Sequence, residues 1–160
     1  MIRATSTEHE HEFGPEVVLP VLLRPGRGVY GLFIRDALTE AGCNDMPANG
    51  GYVLGLIEPE GTALSDVIAD IGFSKQRASQ LVDTLVIRGY LERSVDPEDR
   101  RRMLLTLTER GSSASDTVYR TCQEVDARLV AVVGAERMKH TKETLHALAD
   151  LWTSGKKKSE

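Results

Sequence analysis

The chain has only two cysteines among its 160 residues. Cys43 and Cys122 lie far apart, outside any metal-binding spacing, and predict two reduced thiols rather than a disulfide. Cys43 stands in a predicted loop, and no Lys, Arg or His within three positions could stabilise its thiolate. We therefore interpret Cys43 as a neutral spacer, with a redox-sensing role as the alternative.

Long apolar runs are missing as well. The two longest, 17–23 and 129–133, are interrupted too early to span a bilayer. Residues 1–14 are polar and acidic, without the apolar stretch of a secretory signal, and predict a disordered tail. These features predict a cytoplasmic protein with no membrane partner.

Motifs for catalysis and metal binding are also missing. The sequence has no serine-centred nucleophile turn, no HExxH and no dinucleotide-binding fingerprint. Gly50, Gly51 and Gly55 loosely resemble a phosphate loop, but no Lys-Ser or Lys-Thr pair follows them. His9 and His11 form a pair in the predicted tail without further ligands. We expect no catalytic residue, no metal and no cofactor.

The composition is that of a folded protein with locally concentrated charge. Hydrophobic residues make up 41% and charged residues 28%, which argues against a disordered chain. The net charge of −4 argues against indiscriminate nucleic-acid binding. Residues 62–111 nevertheless hold eight basic and eight acidic side chains, whereas residues 1–61 hold four and nine. Any basic surface is therefore local.

The N-terminal part predicts an interrupted helix. Apolar residues repeat at helical spacing from 16 to 41, with Pro25 and Gly26 in the middle. Because proline lacks an N–H and clashes with the preceding turn, we expect a kinked helix, or a short helix followed by a longer one from Arg27. The helix should stop at Gly42.

Residues 47–89 predict three short helices. The first begins at Pro47, the second ends at Gly72, and Ser74 is placed to cap the third. The first helix is expected to point Tyr52, Val53, Leu56 and Ile57 inward. In the third, the apolar residues fall at helical spacing and predict one buried face, made by Ala78, Leu81, Val82, Leu85 and Val86.

Residues 90–108 predict a β-hairpin, and the last third predicts two helices. Two β-prone runs, 90–95 and 103–108, flank a charged tip at 96–100. Apolar residues then describe one long helix from Ala114, with Cys122 or Thr121 facing inward, and a second helix after a break at Gly134.

The helix after Ser74 has a polar outer face suited to reading DNA. Gln and Arg are the side chains best able to make paired hydrogen bonds to adenine and guanine edges in the major groove. They cluster in the N-terminal half, the end that reaches base edges in helix-turn-helix proteins. An ordinary solvated helix face is the alternative. The outer face comprises Lys75, Gln76, Arg77, Ser79, Gln80, Asp83 and Thr84.

A short helix, a glycine turn, a capped helix and a hairpin form the winged helix-turn-helix arrangement. Here the sequence resembles the MarR family (multiple antibiotic resistance regulators), from about Leu64 to Gly111. The family's wing signature is D-x-R followed by a leucine-threonine pair and a glycine, and Asp99, Arg101, Leu107, Thr108 and Gly111 match it. The sharpest matching runs are Gly89-Tyr90-Leu91-Glu92-Arg93, Asp96-Pro97-Glu98-Asp99-Arg100-Arg101 and Leu107-Thr108-Glu109-Arg110-Gly111.

The resemblance implies a homodimer that binds double-stranded DNA at a pseudo-palindromic site, most often as a repressor. Arg101 would enter the minor groove, with Asp99 positioning it. We expect their charges to pair at the wing tip, leaving guanidinium N–H groups for DNA. The expected DNA-binding residues are Ser74, Lys75, Gln76, Arg77, Ser79, Gln80, Thr84, Asp99, Arg100 and Arg101.

The resemblance also implies a small effector, often aromatic and acidic, bound between the dimer helices and the DNA-binding part. Arg27, Tyr30 and Tyr52 are the expected contacts, because they are polar groups beside an apolar face. Plain core packing of these residues is the alternative. The break at Pro25-Gly26 departs from the continuous first helix that is usual in the family.

The predicted fold is mainly α with one small β-hairpin, a winged helix-turn-helix domain flanked by dimerisation helices. Residues 15–153 form a single domain, in which 15–61 and 112–153 are mainly dimerisation helices and 62–111 the winged helix. Residues 1–14 and 154–160 are tails. A winged-helix module for protein or RNA contact remains the alternative function, since a basic patch does not specify duplex DNA.

Overall fold

The computed structural model describes residues 17–156, with side chains to residue 151. The predicted tail at 1–14 and residues 157–160 lie outside the described residues. The elements, in chain order, are α1 (Leu19–Glu40), α2 (Gly50–Leu54), β1 (Thr62–Ala63), α3 (Leu64–Asp70), α4 (Lys75–Ile87), β2 (Leu91–Val95), β3 (Met103–Leu107), α5 (Glu109–Val133) and α6 (Ala135–Lys156). The mainly helical winged helix-turn-helix fold is confirmed.

The sheet has one strand more than the predicted hairpin. β2 and β3 pair antiparallel, with Leu91 opposite Leu107 and Val95 opposite Met103. The two-residue strand β1 pairs with the other edge of β3, which makes β3 the central strand. A two-residue strand carries no alternating pattern, so no residue spacing predicts it.

Helix α1 runs without interruption through Pro25, so the predicted alternative of two separate helices is wrong. Pro20 in the first turn suits a helix start, because its missing N–H would have no partner there. Pro25 costs one backbone hydrogen bond, the one to the carbonyl of Val21. The helix also packs along α5, and this tertiary contact outweighs the local cost.

Helix α2 is shorter than predicted and points Tyr52 outward. It covers only Gly50–Leu54, after Asn49 in the left-handed region at φ 65°. Val53 and Leu54 are fully buried, so Tyr52, on the opposite side of a single turn, is 53% exposed. The predicted inward orientation of Tyr52 is therefore wrong, while that of Val53 and Ile57 is confirmed.

One core joins α2, α3, α4 and the sheet, with the start of α5 closing it. Its largest fully buried side chains are Leu54, Val67, Val82, Leu85, Tyr90, Leu91 and Leu105. The buried face of α4 is the predicted one, with Ala78, Val82 and Leu85 at 0% exposure. Residues 62–111, called the winged-helix lobe below, are built around this core.

The C-terminal helices are long and much less buried. Gly134, at φ 84°, separates α5 from α6, as predicted. On α5 it is Thr121 that is buried, and Cys122 is only partly covered. In α6 the buried residue is Met138, and the helix runs to Lys156, past the predicted end at 153. Across residues 17–156, no helix carries an apolar stretch of the length that a bilayer crossing requires.

Candidate nucleic-acid interface

The turn between α3 and α4 fixes the direction of α4. Gly72 adopts φ 72°, a conformation that costs glycine little, and the chain reverses there. The Ser74 hydroxyl then accepts a hydrogen bond from the Arg77 backbone N–H at 3.5 Å, which confirms Ser74 as the N-cap. The helix therefore begins with its N-terminal turn in solvent.

The predicted reading face of α4 is on the surface. Lys75, Gln76, Arg77 and Gln80 are exposed, while Ser79 and Thr84 are half-buried. The Thr84 hydroxyl donates to the Gln80 carbonyl at 2.8 Å, so it is engaged within its own helix. Four long side chains able to bind phosphates or bases thus share one open surface.

An ion pair that the sequence did not predict joins α4 to the hairpin. The Arg93 guanidinium on β2 lies 2.5 Å from the Asp83 carboxylate on α4. The hairpin of β2 and β3 with its tip, residues 91–107, is called the wing below. The pair fixes the wing against the exposed side of α4, and its members lie too far apart in sequence for local spacing to indicate it.

The wing tip is closed by aspartates that accept backbone N–H groups. Asp96 Oδ1 accepts from the N–H of Glu98 at 2.9 Å, and Asp99 Oδ1 accepts from the N–H of Arg101 at 3.0 Å. The expected pairing of the Asp99 and Arg101 charges is therefore wrong: the carboxylate holds the backbone of Arg101, not its guanidinium. This leaves the guanidinium of Arg101 unoccupied by Asp99.

Of the three arginines at the wing tip, one forms an ion pair with α3. The Arg102 guanidinium lies 3.6 Å from the Asp66 carboxylate on α3. Arg100 and Arg101 are exposed and form no ion pair with any residue in the described part of the chain. The tip thus presents two cations on a turn whose backbone is held from both ends.

The base of the wing is tied to the loop before α2 through Asp45. The Tyr90 hydroxyl donates to Asp45 Oδ1 at 2.6 Å, and the Arg110 guanidinium donates to the same carboxylate at 2.7 Å. The Arg88 guanidinium donates to the Asp45 carbonyl. Arg110 also lies 4.2 Å from the centre of the Tyr90 ring. We call Asp45, Arg88, Tyr90 and Arg110 the Asp45 hub.

The hub shifts the acidity of its members. Hydrogen bonds from Tyr90 and Arg110 hold the pKa of Asp45 below its usual range. Burial of the Tyr90 ring, together with its hydrogen bond to Asp45, raises the pKa of that phenol far above its ordinary value. The sequence did not predict the hub. Tyr90 stands between Gly89 and a buried strand residue, and a buried tyrosine usually finds a hydrogen-bond partner for its hydroxyl, so such a partner is the one part of the hub that the sequence signals.

The leucine-threonine-glycine part of the wing signature has a clear structural reason. The Thr108 hydroxyl accepts from the Gly111 N–H at 2.9 Å, which caps α5, and donates to the Gly89 carbonyl at 2.6 Å. A Cβ at Gly111 would fall well inside the van der Waals distance of the Tyr90 carbonyl oxygen. Only glycine allows α5 to approach the start of β2 this closely.

A cleft of about 1200 Å³ lies between α1, α2, α5 and the turn before α4. Arg27, Tyr30 and Tyr52 all line it, as do Ile71 and Phe73 from that turn. Of the described residues along its walls, only Arg27 and Arg35 are charged. The cleft is therefore apolar with cationic groups on the α1 side, which suits an anion with an apolar body.

Each of the three predicted cleft residues is anchored. Arg27 Nη2 donates to Asn49 Oδ1 at 2.6 Å, and the Tyr52 hydroxyl lies 3.5 Å from the Asp70 carbonyl at the end of α3. The Tyr30 hydroxyl donates to Asp126 Oδ1 at 2.5 Å on α5. The cleft side chains are thus held both by α1, α5 and α6, called the terminal helices below, and by the winged-helix lobe.

Tyr30 and Asp126 belong to a chain of contacts that continues to α6. The Lys142 ammonium donates to Asp126 Oδ2 at 2.6 Å. Burial and the hydrogen bond to Asp126 raise the pKa of Tyr30 to about 12. Burial opposes ionisation of Asp126, but the hydrogen bonds from Lys142 and Tyr30 prevail and lower its pKa. Burial beside Asp126 also raises the pKa of the Cys122 thiol.

Comparisons with known proteins agree with this geometry. A model of the MarR family matches residues 45–102, and no curated protein matches the sequence. A MarR-family transcriptional regulator from Rhodococcus sp. RHA1 is 25% identical with a TM-score of 0.66, covering 81% of this chain and 92% of that chain. CouR from Rhodococcus jostii RHA1, solved with bound p-coumaroyl-CoA, is 26% identical with a TM-score of 0.67, covering 81% and 90%. S. aureus MepR, solved in complex with DNA, is 20% identical with a TM-score of 0.67, covering 84% and 98%.

Proposed function

We propose that the chain, whose residues 45–102 match a model of the MarR family, is a sequence-specific regulator of transcription. In this proposal it binds a pseudo-palindromic site in double-stranded DNA as a homodimer, represses transcription and responds to a small effector. It has no catalytic role and acts in the cytoplasm. One observation carries the proposal most: the exposed polar face of α4 stands beside a wing with two unpaired arginines.

The N-terminal half of α4 reads the bases in this proposal. Gln76, Arg77 and Gln80 reach base edges in the major groove, and each good paired contact supplies about 1–3 kcal/mol of discrimination. Ser74, Lys75, Ser79 and Thr84 complete the contact face. The MepR structure, which contains DNA, supports the use of this fold for duplex binding.

The wing contacts the flanking minor groove or phosphates. Asp99 fixes the backbone of Arg101 at 3.0 Å and so limits the wandering of the tip. Arg100 and Arg101 then supply the positive charge, since Arg102 is paired with Asp66. Asp99 is thus a positioning residue, and Arg101 is the contact.

A second copy of the chain covers the terminal helices. Large apolar side chains are exposed along both ends of the described chain, namely Val17, Val18, Leu19, Val21, Val29, Leu32, Phe33, Leu129, Val132, Leu145, Leu148 and Leu151. A monomer rarely exposes so much contiguous apolar surface in water. Interlocked terminal helices of two copies would bury it.

The cleft takes an acidic effector with an aromatic or other apolar body. Arg27 and Arg35 attract the anion, and Tyr30 and Tyr52 border the apolar part. CouR, the relative solved with p-coumaroyl-CoA, binds a ligand that is both aromatic and anionic. An effector in this cleft touches α1 and the α3–α4 turn together, so it can change how the lobe sits on the dimer.

Enrichment of duplexes from a random pool by the purified protein tests the proposal. We expect one enriched pseudo-palindromic site, bound with strong salt dependence. Binding without sequence preference, or preference for RNA over duplex DNA, would instead support a winged-helix module of another kind. If Arg77→Ala and Gln80→Ala both keep the parental base preference, the assignment of the reading face is wrong.

The wing is tested separately with Arg101→Ala. This variant should lower DNA affinity substantially while its melting temperature and oligomeric state stay unchanged. The slope of affinity against salt should fall by about one unit per wing if the contact is to phosphate. Arg120→Ala, which removes an exposed arginine from α5, is the matched control. Parental affinity of Arg101→Ala would show that the wing is structural only.

A further inference from the structure

Phe73 stands between the cleft and the reading helix. It lies in the α3–α4 turn, between Gly72 and the N-cap Ser74, and is half-buried. It lines the cleft beside Ile71 and packs against the core. Its ring also lies under the Arg77 guanidinium, which is 5.2 Å from the ring centre. The same ring therefore faces both of the surfaces that the proposed function uses.

The Phe73 ring is the aromatic contact that the structure gives for the Arg77 guanidinium. Arg77 is exposed and forms no ion pair with any residue within the described range, and its backbone N–H is the one that Ser74 caps. A guanidinium stacked over an aromatic face is held flat in one orientation. An arginine without such a platform samples many rotamers, and most of them do not present its paired donors to a guanine.

We infer that Phe73 is a positioning residue that sets the orientation of Arg77 for base reading and links this orientation to occupancy of the cleft. The inference rests on the proposed function, because it needs Arg77 to read a base. An occupant that presses on the ring from the cleft tilts it, and the guanidinium stacked over it follows. The alternative, a ring that merely fills the core, predicts an effect on stability but none on base choice.

A double-mutant cycle tests the first half of the inference. Phe73→Leu keeps an apolar side chain but removes the aromatic face, and Phe73→Tyr keeps the face. On the enriched duplex we expect Phe73→Leu to bind roughly two- to tenfold more weakly and to relax base preference at the position that Arg77→Ala relaxes. Combined with Arg77→Ala it should add nothing further, and Phe73→Tyr should bind like the parent.

The outcomes of this cycle are distinguishable. If Arg77→Ala keeps the parental preference while Gln80→Ala relaxes it, the inference fails but the reading role of α4 stands, and if both variants keep it, the reading role fails as well. If Arg77→Ala relaxes the preference but the loss from Phe73→Leu simply adds to it, only the inference fails. Phe73→Met serves if Phe73→Leu does not fold. Tyr119→Leu is the control, since it removes an aromatic ring that is 67% exposed on α5.

Fluorine NMR tests the link to the cleft. The chain has three phenylalanines, so 4-fluorophenylalanine gives three signals, and Phe73→Leu assigns one of them. Arg77→Ala should shift the Phe73 signal. Saturation with the aromatic anion 1-anilinonaphthalene-8-sulfonate should shift it as well, in the parent but not in Ala48→Trp, a variant that narrows the cleft from an exposed position on its wall. A Phe73 signal that the saturating probe leaves in place would overturn the link.

Discussion

The winged-helix lobe and the terminal helices differ in how fully a single chain satisfies them. In the lobe, Val67, Val82, Leu85 and Tyr90 are fully buried, and the wing is held at its base, its side and its tip. On the terminal helices, Val132 is 82% exposed and Leu151 is 71% exposed. In the lobe the large apolar side chains that stay exposed are Ile87, Val95 and Met103, whereas the terminal helices expose many more, so their outer face has the character of a surface that a partner covers.

The two regions also differ in which features of the sequence determine their structure. The lobe is specified by contacts that tolerate no extra atom, such as the approach of Gly111 to Tyr90. The apolar face that α1 and α6 leave exposed follows from amphipathic spacing, which predicts a helix but not what covers it. Substitutions in the lobe should therefore act on folding of the monomer, and substitutions on α1 and α6 should act on assembly.

The largest effect is expected from Gly111→Ala. The new Cβ would meet the Tyr90 carbonyl oxygen, a backbone atom that cannot rotate away, so α5 must separate from the wing. We expect the free energy of unfolding to fall by about 3 kcal/mol or more. Urea unfolding followed by circular dichroism measures it. A variant as stable as the parent would show that this contact between α5 and the wing is not tight.

Asp45→Asn should have an intermediate effect, because it weakens the hub without adding bulk. Asn keeps an acceptor for Tyr90 but loses the charge that faces Arg110. We expect a lower melting temperature at pH 7 than that of the parent. Asp116→Asn is the control, because Asp116 is exposed on α5 and forms no ion pair with a described residue.

The effect of Asp45→Asn on the melting temperature should depend on pH. The pKa of Asp45 is lowered in the folded protein, so its contribution is fully present above the unfolded value of 3.8 and is lost as the pH falls through the folded value. The difference in melting temperature between parent and Asp45→Asn should therefore be constant from pH 7 to about 5 and shrink in stronger acid. A difference that grows on acidification would contradict the assignment.

A smaller effect is expected from Tyr30→Phe, which removes the hydrogen bond to Asp126. The group is only partly buried, so the loss should be about 1 kcal/mol at neutral pH. Because the pKa of Tyr30 is raised to about 12, this contribution is present below pH 10 and is lost as the pH rises towards 12. Tyr119→Phe, at a tyrosine that is 67% exposed, is the control. Equal losses in both variants would contradict a role for the Asp126 contact.

The smallest effect is expected from Gly26→Ala, the counterpart of Gly111→Ala on the terminal helices. A Cβ at Gly26 meets nothing within 4 Å in the described chain. Since alanine favours a helix interior over glycine, we expect a gain of about 0.5–1 kcal/mol in urea unfolding. A clear loss would show that another surface lies close against this turn of α1.

The sequence predicted most of the lobe because its signals are local. The cap at Ser74, the buried stripe of α4 and the wing strands follow from spacings of a few residues, and the structure confirms them. The alternative of two separate helices in place of α1 is wrong, because the packing of α1 on α5 is non-local and outweighs the cost of Pro25. The inward orientation predicted for Tyr52 is wrong, because a five-residue helix is too short for spacing to define its apolar face.

The residue types of the candidate site could be predicted from the sequence, but not which of these residues contact one another. The structure places the long polar side chains of α4 in solvent and brings Arg27, Tyr30 and Tyr52 to one cleft, but it does not test what they bind. The Asp45 hub and the Asp83–Arg93 pair join residues that are distant in sequence, and a single sequence does not show which charges meet. The DNA-binding roles of the α4 and wing residues and the ligand-binding roles of the cleft residues stay predictions.

The mass of the protein in solution tests the central contrast most directly. If the terminal helices are completed by a second copy, light scattering at micromolar concentration should give about twice the chain mass of 17.6 kDa. Leu148→Glu, which places a charge on the exposed face of α6, should shift the mass towards that of one chain while the circular dichroism of the fold is kept. A stable species of 17.6 kDa for the parent chain would contradict the account.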